Sequence, residues 1–289
     1  MRSACSGFPP TDVSSAKSHE RSGSSLARPK SSAERNHPPV CRQRAHSGHG
    51  HRERDTGFVL RGADILDVGG ESTRPGADPV DVEAEIGRVV PVIKAIRAEL
   101  DVPVSIDTMK ADVMRAAVTA GAGMINDVNG LRDPDALGAA AELGVHVCIM
   151  HMQGQPRTMQ QNPQYSDVVE DLLVFFRERV AACLKAGIAE HHLVLDPGFG
   201  FGKSLEHNLD LLARFGRLRE FGLPLLAGLS RKSMLGKITG REDADQRVAA
   251  SLAGAVLAAE RGANILRVHD VAETVDAVKV IHALRGVTS

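Results

Sequence analysis

The chain has 289 residues, a net charge of −1 and 43% hydrophobic residues, enough to bury a sizeable core in one large domain or two small ones. Aromatic residues make up only 3% and Trp is absent, so the core is expected to be aliphatic, which suits parallel strands covered by helices. A mildly acidic body, four scattered cysteines and the lack of a long apolar run argue against nucleic-acid binding, a disulfide framework and a membrane span.

Residues 1–56 are rich in Ser, Arg, Pro, His and Gly, and they carry ten Lys or Arg against five Asp or Glu. Their few large apolar residues fit neither a helical nor a strand period, so the segment predicts a disordered tail. A basic arm that binds RNA or an anionic membrane is the alternative, but interleaved aromatics and an amphipathic stripe are missing. The sequence also lacks the apolar stretch of a secretion signal, so we expect a cytoplasmic location.

Residues 57–289 predict one barrel domain in which apolar runs alternate with amphipathic stretches. Seven runs are typical of buried strands: 63–69, 103–108, 124–128, 145–150, 192–197, 224–230 and 263–268. Seven stretches with helical spacing follow them: 80–100, 110–120, 133–143, 166–186, 206–220, 231–260 and 270–284. Pro91 interrupts the first of these. Seven strand-then-helix units predict an α/β fold, a (β/α)8 TIM barrel whose first unit is missing or replaced.

An open doubly wound sheet is the alternative architecture. It would place a Gly-rich phosphate turn after its first strand and gather its polar residues at one switch point. Here polar residues follow nearly every strand: Asp67, Glu71, Thr73, Arg74, Asp107, Asn126, Asp127, His151, Asp196, Arg231, Lys232, Arg267 and His269. Because the carboxyl ends of barrel strands meet at one mouth, this arrangement favours the barrel.

Each strand-end residue also has a structural explanation, since a single Asp there is more often a turn or helix cap than a ligand. Arg267 and His269 alternate with Val268, so both lie on one side of their strand. They suit either a salt-bridged barrel rim or a phosphate site. Together with Arg74 they predict an anion pocket beside a neutral polar pocket.

Two patterns are rejected as functional motifs. GFGFGKS (198–204) resembles a phosphate-binding loop, but the pattern GxxxxGK[ST] needs Gly at the position of Pro197. The glycines instead predict close backbone packing around a flat ligand or a tight turn. His191 and His192 precede a strand rather than follow one, so we assign them no role.

Six strand-end motifs together resemble the dihydropteroate synthase family in order and spacing: DILDVGGESTRPGA (64–77), VSIDT (104–108), INDV (125–128), DPGFGFGK (196–203), GLSRKS (228–233) and RVHD (267–270). The likeness extends from about Phe58 to Arg285. It implies a folate-pathway transferase that joins 6-hydroxymethyl-7,8-dihydropterin pyrophosphate to p-aminobenzoate. The products would be 7,8-dihydropteroate and pyrophosphate.

By this resemblance, several residues match the positions that bind the pterin: Asp107, Asn126, Met150, Asp196, Gly228 and Lys232. The pyrophosphate positions match Arg74, Arg267 and His269. The p-aminobenzoate side matches Thr73, Pro75, Phe199, Phe201, Lys232 and Ser233. The catalytic set would be Asp107, Asp196, Lys232, Arg267 and His269.

The chemistry of these side chains agrees with the implied substrates. Carboxylates accept hydrogen bonds from the NH groups of a pterin edge, while Asn and Lys donate to its ring N and O atoms. In such enzymes pyrophosphate is thought to depart before the aryl amine attacks, which leaves positive charge on the pterin methylene. Asp107 and Asp196 would stabilise that charge, and the Arg and His groups would stabilise the leaving group.

The resemblance also implies Mg²⁺, a homodimer and sensitivity to sulfonamides. The family's Mg²⁺ ligand is an Asn in an Asn-Val-Thr-Pro-Asp-like motif of the first strand, whose loop closes over the substrates. No such motif occurs in residues 1–56, so we expect no strand 1 and two unpaired strand edges, and the metal ligand is unknown. The polar tail also suits an out-of-frame reading of a G+C-rich gene, which resequencing upstream of the Phe58 codon would test.

Two other functions compete with an active transferase. A non-catalytic pterin-binding barrel is consistent with the missing first unit. A pterin-dependent methyltransferase would use the same barrel, but methyl transfer involves no pyrophosphate for the strand-end Arg and His residues to hold.

Overall fold

The computed structural model describes residues 40–43, 62–74 and 76–287. It contains eight parallel strands: β1 (Val40–Gln43), β2 (Ile65–Gly69), β3 (Val104–Asp107), β4 (Met124–Asp127), β5 (His146–Met150), β6 (Leu193–Asp196), β7 (Leu226–Ala227) and β8 (Ile265–Val268). Their order in the sheet is β6-β5-β4-β3-β2-β1-β8-β7. A bridge between Leu195 and Leu225 connects the two ends of this order, and the Leu195 N–H donates to the Pro224 carbonyl at 2.9 Å. The sheet therefore closes into the predicted barrel.

Within the described residues, eight α-helices follow strands β2 to β8: α1 (Val82–Glu99), α2 (Ala111–Thr119), α3 (Pro134–Leu143), α4 (Val168–Lys185), α5 (Leu205–Ala213), α6 (Ser233–Thr239), α7 (Val248–Glu260) and α8 (Val271–Val287). Short 3₁₀ helices over Glu190–His192, Phe215–Phe221 and Ala244–Arg247 complete the connections. The predicted alternation of strand and helix after β2 is confirmed. None of the helices in the described ranges has the length and apolar character needed to cross a bilayer.

Helix α1 shows why Pro91 does not end a helix here. The helix begins where the Asp81 side chain accepts a hydrogen bond from the Ala84 N–H at 2.7 Å. It continues through Pro91 to Glu99, with Val89 and Ile93 buried on either side of the proline. Burial of this apolar face outweighs the loss of one backbone hydrogen bond.

The expectation that the first strand has no candidate is wrong. Cys41 lies opposite Ile65 of β2 and Arg267 of β8, so β1 fills the gap between these two strands. The unpaired backbone edges of β2 and β8 can bond any short extended segment, because ladder hydrogen bonds do not depend on side chains. The strand lies within the segment predicted to be a tail. Residues 1–39 and 44–61 lie outside the described residues.

The strands separate two apolar layers by the alternation of their side chains. Side chains on the outer face, such as Leu66, Ile125 and Leu195, join the large core beneath the helices. Six side chains on the inner face form a separate cluster, here called the floor: Ile65, Met124, Cys148, Val194, Leu226 and Ile265. The floor fills the lower barrel, so ligand binding is confined to the carboxyl ends of the strands.

Candidate functional site

The barrel interior changes from apolar to polar two residues beyond the floor, because i and i+2 on a strand face the same side. The residues at these positions are Asp67, Asn126, Met150, Asp196, Gly228 and Arg267. Asp107 on β3 joins this layer, because it lies directly opposite Asn126 in the strand register. The Asn126 Oδ1 atom is buried and has no hydrogen-bond partner among the described residues. This layer therefore presents an acceptor and carboxylates to whatever occupies the mouth.

Arg267 connects β8 to two carboxylates across the mouth. Its Nε donates to Asp67 Oδ2 at 2.7 Å, and its Nη2 lies 2.5 Å from Oδ2 of Asp67 and from Oδ2 of Asp107. The sequence predicted an anion pocket beside a separate neutral polar pocket. The structure instead joins Arg267 to the carboxylates Asp67 and Asp107.

Burial controls the charge of the two predicted catalytic carboxylates. Burial raises the pKa of Asp107 to about 7; Arg267 opposes this rise and Asp67 adds to it. Burial also raises the pKa of Asp196, against the Gly198 N–H, which donates to its Oδ1 at 2.8 Å. Both carboxylates are thus poorly solvated, and a cationic or NH-rich ligand would stabilise their ionised forms.

Lys232 is the second cation of the mouth. Its Nζ lies 4.2 Å from the ring centroid of Phe201, within the range of a cation–π contact. Burial lowers the pKa of Lys232 to about 8, and the positive charges of Arg267 and Arg74 lower it further while Asp196 opposes them. Three members of the expected catalytic set, Asp196, Lys232 and Arg267, are therefore close in space. Arg74 lies at its exposed edge.

The Gly-rich loop after β6 packs closely against the backbone of a neighbouring loop, as expected from its glycines. Gly198 and Gly202 have positive φ, and a Cβ at either position would overlap the backbone of His151 or Gln153. Lys203 turns inward, where its Nζ contacts His151 Nδ1 at 2.9 Å and the Gly198 carbonyl at 3.0 Å. Burial lowers the pKa of Lys203 to about 7. Lys203 thus ties two loops together.

Two predicted cations of the last strands have partners of their own. The His269 N–H and Nδ1 both contact Ser230 Oγ at 3.1 Å, which orients the imidazole at the end of β8. Arg231 forms a two-nitrogen ion pair with Asp270, at 3.1 and 2.6 Å. Arg231 therefore fixes the loop after β7, and its backbone adopts a positive φ of 57°.

The loop after β2 is held by a charge cluster that sequence reasoning missed. Lys110 Nζ bonds Glu71 and lies 2.5 Å from Glu85 Oε2, and Glu85 is fully buried. The Arg88 guanidinium donates to the Gly70 carbonyl at 2.8 Å from the same helix. The available sequence signal was a glutamate that takes an apolar-face position, three residues after Val82 and four before Val89. These contacts set the course of the loop that carries Thr73 and Arg74.

The predicted p-aminobenzoate residues are spread over three loops. Phe199 and Phe201 are buried, and Phe201 packs in one cluster with Met150. Thr73 is half-buried after β2, and Ser233 is exposed at the first residue of α6. Pro75 lies outside the described residues. Phe199 does not reach the mouth, because it joins the core beneath the helices and stacks on Phe215, whereas Phe201 packs beside Met150 of the barrel interior.

The described side chains at the mouth provide few donors for a metal ion. Within the described ranges, no group of three or more His, Cys, Asp or Glu side chains is arranged to hold an ion. The first strand reads Val-Cys-Arg-Gln, without the expected Asn. Asp127 is committed to a turn, where its two oxygens accept from the Asn129 and Leu131 N–H groups. These residues do not fit a protein-held Mg²⁺ ion.

Comparison with known proteins agrees with this geometry. The family model described as pterin binding enzyme matches residues 52–269. The dihydropteroate synthase of Escherichia coli (strain K12) is 54% identical over 226 residues, which cover 78% of this chain and 80% of that protein. The Haemophilus influenzae dihydropteroate synthase is 53% identical over 226 residues, with coverage of 78% and 82%.

Two solved structures share the fold along nearly their whole length. Yersinia pestis dihydropteroate synthase with a sulfonamide drug complex has a TM-score of 0.83 at 46% identity, covering 86% of this chain and 95% of that chain. The Xanthomonas albilineans enzyme in complex with 7,8-dihydropteroate has a TM-score of 0.79 at 49% identity, with coverage of 86% and 94%.

Proposed function

Because this chain belongs to the dihydropteroate synthase family of pterin-binding enzymes, we propose that it condenses 6-hydroxymethyl-7,8-dihydropterin pyrophosphate with p-aminobenzoate. The products are 7,8-dihydropteroate and pyrophosphate. The observation that carries this proposal is the polar layer of Asp107, Asn126 and Asp196, which lies directly above the apolar floor and beside Lys232 and Arg267. It combines acceptors for a flat NH-rich ring with cations for a leaving group.

The pterin would lie against the polar layer. Asp107 and Asp196 accept from its ring NH and amino groups, while Lys232 donates to a ring N or O atom. Burial that raises the pKa of both carboxylates favours binding of this NH-rich edge, because the ligand replaces missing water. Met150 and Phe201 supply apolar surface for the faces of the ring.

The reaction separates charge along the mouth. As the bond between the pterin methylene and pyrophosphate breaks, Asp107 and Asp196 stabilise the positive carbon, while Arg267 and Arg74 stabilise the departing anion. His269, oriented by Ser230, contributes a further donor to that anion. The aryl amine then attacks the methylene from the side of the Phe201 loop and loses its proton to solvent.

A direct assay tests the proposal. Purified protein is incubated with both substrates, and dihydropteroate formation and pyrophosphate release are measured together. We expect equal amounts of the two products. Pterin binding in a calorimeter without either product would instead favour the non-catalytic barrel.

The Mg²⁺ requirement stays a prediction, and no step of the mechanism is assigned to the ion. Because the described residues do not form a cation site, we expect Mg²⁺ to enter only with the pyrophosphate group of the substrate, as it often does in phosphate chemistry. Calorimetry should then detect Mg²⁺ binding with pyrophosphate present and none with protein alone. Tight binding by the protein alone would contradict this.

A homodimer is part of the proposal, through the outer faces of α7 and α8. Leu257 of α7 and Val280 and Leu284 of α8 are exposed apolar side chains, and the last two lie one turn apart. An apolar face of this kind often marks an interface. Light scattering should give twice the monomer mass, and Val280→Asp should lower it.

Sulfonamides should compete with p-aminobenzoate at the loops of Thr73 and Phe201. The related Yersinia pestis structure holds a sulfonamide drug complex. Inhibition that p-aminobenzoate relieves, with an increase in KM and no change in kcat, would support this part of the proposal.

A further inference from the structure

Asp67 is more deeply buried than the two charged residues beside it, Arg267 and Asp107, and it pairs with Arg267. Its side chain is 1% exposed, against 10% for Arg267 and 12% for Asp107. Asp67 Oδ2 contacts two nitrogens of the Arg267 guanidinium, Nε and Nη2. Its Oδ1 has no hydrogen-bond partner among the described residues. Asp67 is therefore less accessible than Arg267 and Asp107 to a ligand that enters from the mouth.

Burying a carboxylate with an unpartnered oxygen costs free energy, and the ion pair with Arg267 is what offsets this cost for Asp67. Arg267 Nη2 is shared between Asp67 and Asp107, whereas Nε donates to Asp67. A phosphate group arriving at the mouth competes with Asp107 for Nη2, because phosphate pairs well with guanidinium. It cannot compete for the deeper contact with Asp67.

We propose that Asp67 is a positioning residue that holds the Arg267 guanidinium from below, so that Arg267 can exchange Asp107 for the pyrophosphate group. Without Asp67, the guanidinium loses the contacts that hold Nε and that share Nη2 with Asp107. The remaining pair of Arg267 and Asp107 would withdraw Arg267 from the anion and Asp107 from the pterin together. The inference rests on the proposed function for the identity of the anion.

The first test measures binding of inorganic pyrophosphate to the full chain by calorimetry. Asp67→Asn should weaken binding at least about tenfold, the usual scale for a lost hydrogen bond to a charged group. Asp67→Ser should do the same if the Asn variant does not fold. Thermal unfolding confirms that each variant is folded.

Ser105→Ala is the matched control. Ser105 lies opposite Asp67 in the strand register, is equally buried, and its Oγ has no hydrogen-bond partner among the described residues. It should change pyrophosphate binding by less than about twofold, as expected for removing an atom that bonds nothing. Asp67→Asn that behaves like Ser105→Ala overturns the inference.

A double-mutant cycle asks whether Asp67 acts through Arg267. Arg267→Lys keeps the charge but loses the fork of nitrogens that contacts Asp67. In that background, Asp67→Asn should weaken pyrophosphate binding by less than about threefold more, because coupled residues are not additive. Losses that multiply independently would show that Asp67 acts by another route and would refute the inference.

The pH profile separates positioning from a general packing defect. Asp107 is faced by Arg267 from β8, Asp67 from β2, Asp127 from β4 and Lys232 from the loop after β7. Removing the charge of Asp67 lowers the pKa of Asp107, so the acid limb of kcat/KM should move to lower pH in Asp67→Asn. A limb that stays in place while the plateau falls contradicts the proposal.

The two proposals can fail separately. If wild-type protein forms no dihydropteroate but Asp67→Asn still weakens pyrophosphate binding, the transferase proposal fails and the positioning role stands. If the protein is an active transferase and Asp67→Asn binds pyrophosphate normally, the positioning role alone is refuted.

Discussion

Strand β1 pairs with β2 and β8 at three register positions on each side, as an interior barrel strand should. Strands β2 to β8 also pair on both sides, although β7 has only two positions with β8 and one bridge next to β6. Most of them also carry a strand-end motif of the family, which the sequence of Val40–Gln43 lacks. The difference shows that a place in the sheet and a place in the site have separate requirements. Backbone groups suffice for the first, whereas the second needs particular side chains.

The largest effect is expected from changing a polar side chain at the end of a strand that contributes to the site. Asp196→Asn or Arg267→Ala should lower turnover at least about a hundredfold, because one preorganised electrostatic contact is worth about 3 kcal/mol in a transition state. Steady-state kinetics on folded protein measure this. A loss of less than about fivefold would refute the catalytic assignments.

Asp127→Asn is the control for Asp196→Asn. Asp127 is also a buried carboxylate at a strand end, but its oxygens cap the turn through Asn129 and Leu131. This variant should lower the free energy of unfolding by about 1–3 kcal/mol through weaker hydrogen bonds, with turnover of the folded fraction little changed.

The backbone role of β1 is tested by Cys41→Pro. Proline removes an N–H from the middle of a strand with neighbours on both sides, so unfolding free energy should fall by about 3 kcal/mol. Cys41→Thr keeps the N–H and serves as the comparison in urea titrations. If the two variants are equally stable, β1 is not a part of the sheet.

A smaller effect is expected in the pH dependence of stability. Burial raises the pKa of Asp107 from 3.8 to about 7, so the folded state holds this proton more tightly than the unfolded chain. The contribution of Asp107 to stability is therefore full below pH about 4 and is lost as pH rises through about 7. Asp107→Asn should gain stability relative to wild type between pH 5 and pH 8 in urea unfolding. An equal difference at both pH values would contradict the raised pKa.

The smallest effect concerns the Glu71–Lys110–Glu85 cluster. Glu71→Gln should raise KM for p-aminobenzoate by about threefold, the scale of a partly exposed ion pair, because the Thr73 loop loses one tether. Glu83→Gln is the control, because Glu83 is exposed and lies on helix α1, which also carries Glu85. Equal KM values in the two variants would show that the cluster does not position the loop.

Local patterns predicted most of the fold. Apolar runs such as 145–150 and 192–197 are long enough to identify a buried strand, and the structure confirms β5 and β6 within one or two residues. Strand β1 could not be predicted in this way, because Val40 is followed by Cys, Arg and Gln, which do not form an apolar run. Its partners, 24 or more residues away in the chain, decide its conformation.

The sequence predicted which residues belong to the site, but it did not predict which of them contact one another. Asp107, Asn126 and Asp196 follow strands, and the motifs around them identify the family. The contact between Asp67 and Arg267 joins residues 200 positions apart, and no periodicity reports such a pair. Lys203 shows the same limit, since only packing reveals that it turns inward to His151.

The apolar floor limits how ligands enter and leave the barrel. The lower end of the barrel is filled, so every molecule that reaches the polar layer must enter and leave by the mouth. A molecule seated on Asn126 and Asp196 is then covered by any second molecule that binds among the loops above. The depth of the polar layer therefore implies an order of binding, in which the molecule that binds first is the last that can leave.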